Sequence, residues 1–182
     1  MKKLLIFAAV AMLSIAASAS SVLWSVDYTY KAGTTQNAEG WQVVFFDNAE
    51  VARDTFIASL ASGDYATYVS TYGGIATDVT DSDGYADGIS KKSTYGNPET
   101  ITGYFVLFDS ADYASATSAY VSATQEATTG ATAGINANMN FGDVTATQSA
   151  AGWTSTAAVP EPTSGLLLLL GMAGLALKRK RA

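Results

Sequence analysis

The aromatic residues decide what this chain can build. Of its 3 Trp, 10 Tyr and 7 Phe, every ring except that of Phe7 lies within residues 20–158, in a background of Ala, Ser, Thr and Gly. Small residues cannot fill a core, so the rings have to. A total of 182 residues with one such region reads as one domain flanked by short appendages. Residues 22–30 (VLWSVDYTY) alternate, with Trp24, Val26, Tyr28 and Tyr30 on one face and Ser25, Asp27 and Thr29 on the other. That is the pattern of a half-buried strand. Residues 41–46 (WQVVFF) and 100–108 (TITGYFVLF) are apolar on both faces, which predicts more central strands.

Between them lie helix signals. Asp47 or Asn48 is a candidate cap, Glu50 stands three residues beyond Asp47, and Ala52, Phe56, Ile57 and Leu60 share one face before Ser62 and Gly63. This predicts a capped helix with a glycine stop. Tyr65, Tyr68, Val69 and Tyr72 repeat at helical spacing ahead of Gly73 and Gly74, predicting a second, short helix. Residues 113–124 fit a helix and a strand equally. Residues 141–147 and 153–156 are expected to be closing strands. The pentapeptides FDNAE at 46–50 and FDSAD at 108–112 echo each other, but one short echo does not define a repeat fold. The expected fold class is therefore α+β: a small antiparallel sheet with one or two helices packed on one face, plus an N-terminal signal helix and a C-terminal hydrophobic helix.

Both ends read as addresses. Residues 1–19 combine Lys2 and Lys3, an apolar stretch and the triplet Ala17, Ser18, Ala19. This is the pattern of a secretory signal peptide cut between Ala19 and Ser20, with the Sec export machinery and signal peptidase as implied partners. Residues 20–158 form the passenger and 159–182 a tail. The tail contains Val159, Pro160, Glu161 and Pro162, then a hydrophobic helix over 163–177, then Lys178, Arg179, Lys180 and Arg181. The prolines hold an extended segment of the kind a protease groove accepts. The uninterrupted apolar run at 165–177 would be only ~20 Å long as a helix, against a hydrocarbon core of roughly 30 Å. The basic cluster would keep its end in the cytoplasm.

The order Pro-Glu-Pro, hydrophobic run, basic cluster resembles the PEP-CTERM sorting tail. That resemblance implies an exosortase-type membrane protease as partner, transient anchoring in the inner membrane, and release of the passenger to the cell surface or extracellular matrix.

The passenger offers little catalytic chemistry. The chain has no Cys and no His, which excludes disulfides, Cys or His zinc sites and any nucleophile activated by an imidazole. Lack of cysteine also avoids wrong pairing in an oxidising compartment. Residues 20–158 hold 15 acidic and 4 basic side chains, a net charge of −11. So acidic a surface repels phosphate backbones, and no nucleic acid is expected. The acidic stretch DVTDSDGYADG lies at 78–88; with Asp81 and Asp83 as the third and fifth ligands and Gly84 sixth, it departs from the calcium-loop pattern of an EF-hand at the first and twelfth positions, Val79 and Ser90. It is expected to be a solvated turn, with no metal or other cofactor. Asp81, Asp83 and Asp87 are the residues that would hold calcium were it a site. No catalytic residue is expected. The chain reads as a non-enzymatic surface or matrix protein of structural or adhesive type, with exopolysaccharide as its candidate ligand; the alternative is a small secreted hydrolase acting on extracellular polysaccharide.

Overall fold

The computed structural model describes residues 20–76, 79–144 and 152–156. In chain order the elements are β1 (Val22–Val26), β2 (Gln42–Asp47), α1 (Arg53–Ser62), α2 (Tyr65–Tyr72), β3 (Gly74–Ile75), β4 (Ala86–Ile89) and β5 (Thr100–Phe108). A short 3-10 turn (Tyr113–Ser115) then precedes β6 (Ser118–Val121), β7 (Gln125–Thr128), β8 (Ala137–Asn140) and β9 (Trp153–Ser155).

β2 and β5 pair antiparallel through the middle of the larger sheet, with Phe45 opposite Phe105 and Phe46 opposite Tyr104. Around them the strand order is β3-β2-β5-β6-β9, and β7 joins the other half of β5 beside β6. A smaller sheet has the order β4-β1-β8. β1 runs antiparallel to β4 but parallel to β8. β3 lies against β4 and β7 against β8, so the two sheets approach each other along both sides. Gly74 permits one of these approaches: a Cβ there would stand 2.7 Å from the Ile89 carbonyl oxygen.

The central strands of the larger sheet, β2 and most of β5, are buried on both faces, which explains why they are so largely apolar. Val43, Phe45, Phe105, Leu107 and Tyr120 face the small sheet and meet Val22, Trp24, Val26, Ala137 and Met139. Val44, Phe46, Tyr104, Val106, Phe108 and Val121 point the other way, onto Phe56 and Leu60 of α1 and Tyr65 and Val69 of α2. The result has three layers: small sheet, large sheet, helix pair. The buried aromatic pairs in the two cores include Trp24 with Phe45, centroids 6.2 Å apart, and Phe46 with Phe56 at 4.7 Å.

The expected single small antiparallel sheet is therefore corrected. The described fold is mostly β, with a second sheet and a parallel pair between strands more than a hundred residues apart. The second sheet escaped the sequence pattern because its outer strands carry almost no large apolar residues: β4 is ADGI and β8 is ANMN. They join a core through Ala86, Ala137 and Met139 alone.

Smaller differences have local causes. β1 stops at Val26, after which the alternation slips by one residue, so that Thr29 is buried and Tyr28 is 46% exposed. The helix expected directly after Asp47 begins at Arg53, and its N-terminus has no side-chain cap at Ala52. Instead the Asp47 Oδ1 accepts from Ala49 N at 2.9 Å and the Asn48 Oδ1 reaches Arg53 N at 2.9 Å. The polar pair thus shapes a turn first and satisfies a helix N–H second. Gly63 ends α1 in the left-handed region, φ 83°, its N–H bonded to Ser59 O, and α2 occupies Tyr65–Tyr72. The ambiguous residues 113–124 divide into the 3-10 turn and β6.

A strand was expected at 141–147. A strand lies just before it, at Ala137–Asn140; 141–144 have no strand structure, and 145–147 lie outside the described residues. Gly142 turns the chain at φ 61°, with its N–H bonded to the Asn140 Oδ1 at 2.6 Å. The expected signal helix and C-terminal hydrophobic helix lie outside the described residues. Among the described residues, no helix is long and apolar enough to cross a membrane.

Candidate functional site

The outward face of the small sheet carries the side chains that its inward alternation leaves over. Leu23 and Ser25 of β1 stand beside Ile89 and Asp87 of β4, and beside Asn138 and Asn140 of β8. With Tyr85 they line a depression of about 400 Å³. Leu23 is 41% exposed and Ile89 50%, so this sheet face keeps an apolar strip in solvent, flanked by amides and a carboxylate.

Tyr85 also lines a second depression, of about 380 Å³, together with Asp27, Tyr28, Asp81 and Asp83. The two depressions therefore join at one aromatic side chain. The loop that presents it is built by Asp81, whose Oδ1 accepts from both Asp83 N and Tyr85 N at 2.9 Å. Gly84 then passes so close to the chain after β1 that a Cβ would lie 2.5 Å from the Thr29 oxygen. The Thr29 hydroxyl locks the approach by donating to Gly84 O at 2.8 Å. Partial burial, and next the charges of Asp87, Asp27 and Asp81, push the Tyr85 hydroxyl above its usual pKa. It stays a neutral donor across the physiological range. On the other side the Asn140 amide donates to both carboxylate oxygens of Asp27 at 3.3 Å and accepts from Gly142, which fixes its orientation.

The surface thus combines two exposed tyrosine rings, an aliphatic strip, carboxamides and four carboxylates, with no cation among its lining residues. Such a set can stack on the C–H face of a ring and accept hydrogen bonds from hydroxyls, and it repels anions.

Of the calcium candidates, Asp81 and Asp83 line one depression and Asp87 the other. The Asp81 carboxylate is occupied by its own turn. Among the described residues, no group of three or more potential ligands stands close enough to hold a metal ion. A further depression, of about 170 Å³, brings Asp47 and Glu99 together. Both are engaged elsewhere: Asp47 bonds Ala49 N and pairs with Lys92 at 3.9 Å, and Glu99 accepts from Gly96 N.

Asn138 and Asn140 were absent from the sequence reading. Their signal was the alternation of ANMN, in which Ala137 and Met139 are buried and the two amides exposed. Of the processing residues only Ser20 is described. It is buried, its Oγ bonded to the Asn97 amide group at 2.6 Å and its carbonyl to Tyr95 N at 3.1 Å. Ala17 and Ala19, Val159, Pro160, Glu161 and Pro162, and Lys178, Arg179, Lys180 and Arg181 lie outside the described residues.

No curated protein and no solved structure matches the chain. Residues 158–181 match the family model of the PEP-CTERM protein-sorting motif. Residues 158–181 are accordingly a PEP-CTERM protein-sorting motif, which supports an exported protein with a C-terminal, membrane-associated signal for processing by an exosortase.

Proposed function

We propose that the passenger is a non-catalytic cell-surface or extracellular-matrix protein of structural or adhesive type, which meets polysaccharide through the outer face of its small sheet. In this reading the tail holds the chain in the inner membrane only until it is cut, because its apolar run is short for a resident span. The observation that carries the reading is the junction of the two depressions at Tyr85. It offers ring faces and hydrogen-bond acceptors over a length of surface instead of one enclosed cavity.

The ligand class follows from charge. Four lining carboxylates and a passenger net charge of −11 disfavour acidic polymers, so the surface fits a hydroxyl-rich polysaccharide without acidic groups. The hydrolase alternative requires two carboxylates free to face one glycosidic bond, whereas Asp47 and Glu99 are committed to backbone groups, Asp81 to its own turn and Asp27 to the Asn140 amide, and the remaining pair, Asp83 and Asp87, line different depressions.

The test is affinity gel electrophoresis of the secreted protein in gels containing a soluble neutral glucan or polygalacturonate. Retardation by the glucan, weakened in Tyr85→Ala and absent with polygalacturonate, is the expected result. Equal mobility in all gels, or retardation that survives Tyr85→Ala unchanged, contradicts the reading. Appearance of shortened glucan chains would favour the hydrolase.

A further inference from the structure

The fold reaches almost to the sorting motif. β9 is hydrogen bonded to β6 in the register Tyr120 to Trp153 and Ser118 to Ser155. Beyond it Thr156 is stitched down twice: its N–H donates to Thr117 O at 3.0 Å and its hydroxyl to Ala116 O at 2.6 Å. Trp153 stands edge-on to Trp41, centroids 5.5 Å apart, and 6.2 Å from the Tyr120 ring. Gly152 passes the same tyrosine so closely that a Cβ would collide with it. Peeling β9 away would break this packing and bare Trp41 and Tyr120, rings of the kind that dominate burial energetics.

Only Ala157 and Ala158 separate Thr156 from Val159. Fully extended, the chain from Thr156 to Pro160 spans at most about 14 Å. A protease that grips the motif in extended form therefore has the edge of the large sheet at the rim of its groove.

We propose that the sorting protease receives the passenger already folded, with Ala157 and Ala158 as the minimal spacer, and that the mature chain keeps β9 and Thr156. The proposal rests on the sorting reading above. It adds that the length of this spacer, and not its sequence, governs access to the cut.

The experiment is a pulse-chase of the full chain in its exporting host, with intact mass measured on the product. Deleting Ala157 and Ala158 should slow precursor conversion by roughly tenfold or more, within the scale that ångström misplacement of a reacting bond costs. Replacing the same two residues by Gly-Ser, or inserting a longer Gly-Ser spacer, should leave conversion at the wild-type rate. The mature mass should include Thr156 throughout. Conversion of the deletion at the wild-type rate, a Gly-Ser replacement as slow as the deletion, or a mature chain ending before Thr156 would each overturn the proposal. Those outcomes leave the sorting reading intact, since it fails only if the wild-type chain itself keeps its tail.

Discussion

The Trp24 indole lies across Gly88 on the neighbouring strand: the two residues are register partners, and a Cβ built on Gly88 would stand 2.7 Å from Trp24 Cζ2. The absence of a side chain at Gly88 is what lets the ring reach Phe45 in the core, 6.2 Å away and nearly parallel to it. Gly88→Ala should therefore force the indole to shift and cost about 1–3 kcal/mol, the usual range for overpacking a filled core. The midpoint of urea unfolding checks this, and an unchanged midpoint would mean that the ring has room to move.

Phe56 joins the helix layer to the large sheet. It is fully buried and packs on Phe46 at 4.7 Å and Tyr104 at 6.2 Å. Phe56→Ala should destabilise by roughly 3–5 kcal/mol, the transfer and cavity cost of such a truncation. The same unfolding measurement tests it, and an unaltered midpoint would place the residue outside the core.

These two positions also mark what the sequence made legible. Phe56 sits on a helical stripe whose period announces a buried face, and the β2 and β5 segments announce themselves by being apolar on both faces. Gly88 belongs to a strand that shows nothing of the kind. β4 and β8 take their places by backbone pairing with the two edges of β1, and the pairing of β1 with β8 joins residues far apart in the chain. Backbone pairing of that range leaves no local pattern to read. The same holds for the candidate site. Tyr28 and Tyr85 look alike in the sequence as aromatic residues among aspartates, but only the fold brings Asp27 and Asn140 together and places Asn138 beside Leu23. The sorting tail is the opposite case, because its order of prolines, apolar run and basic cluster is itself the signal.

Asp109 supplies a pH-dependent clasp between β5 and β6. Burial alone would raise its carboxyl pKa, but hydrogen bonds from the hydroxyls and backbone of Thr117 and Ser118 outweigh this and lower it from 3.8. Three of these bonds are short: Thr117 N at 2.8 Å, Thr117 Oγ1 at 2.6 Å and Ser118 Oγ at 2.8 Å. A carboxyl depressed in the folded state adds stability that is fully present above its unfolded pKa and is lost as pH falls through the lower folded value. Asp109→Asn should therefore lower the melting temperature at neutral pH, and its deficit relative to wild type should shrink below about pH 4. Parallel melting curves at pH 7 and pH 3 check this, and a deficit that does not change with pH would rule out the charge as the cause.

In the proposed reading this chain is an export intermediate whose two ends are removed to leave the acidic passenger outside the cell. Intact-mass analysis of the surface or matrix form decides that point. The expected chain begins at Ser20, retains Thr156, and lacks Lys178, Arg179, Lys180 and Arg181, with a net charge near the −11 of residues 20–158. A surface form that still carries the C-terminal KRKRA peptide would contradict it and leave a plain membrane anchor in its place.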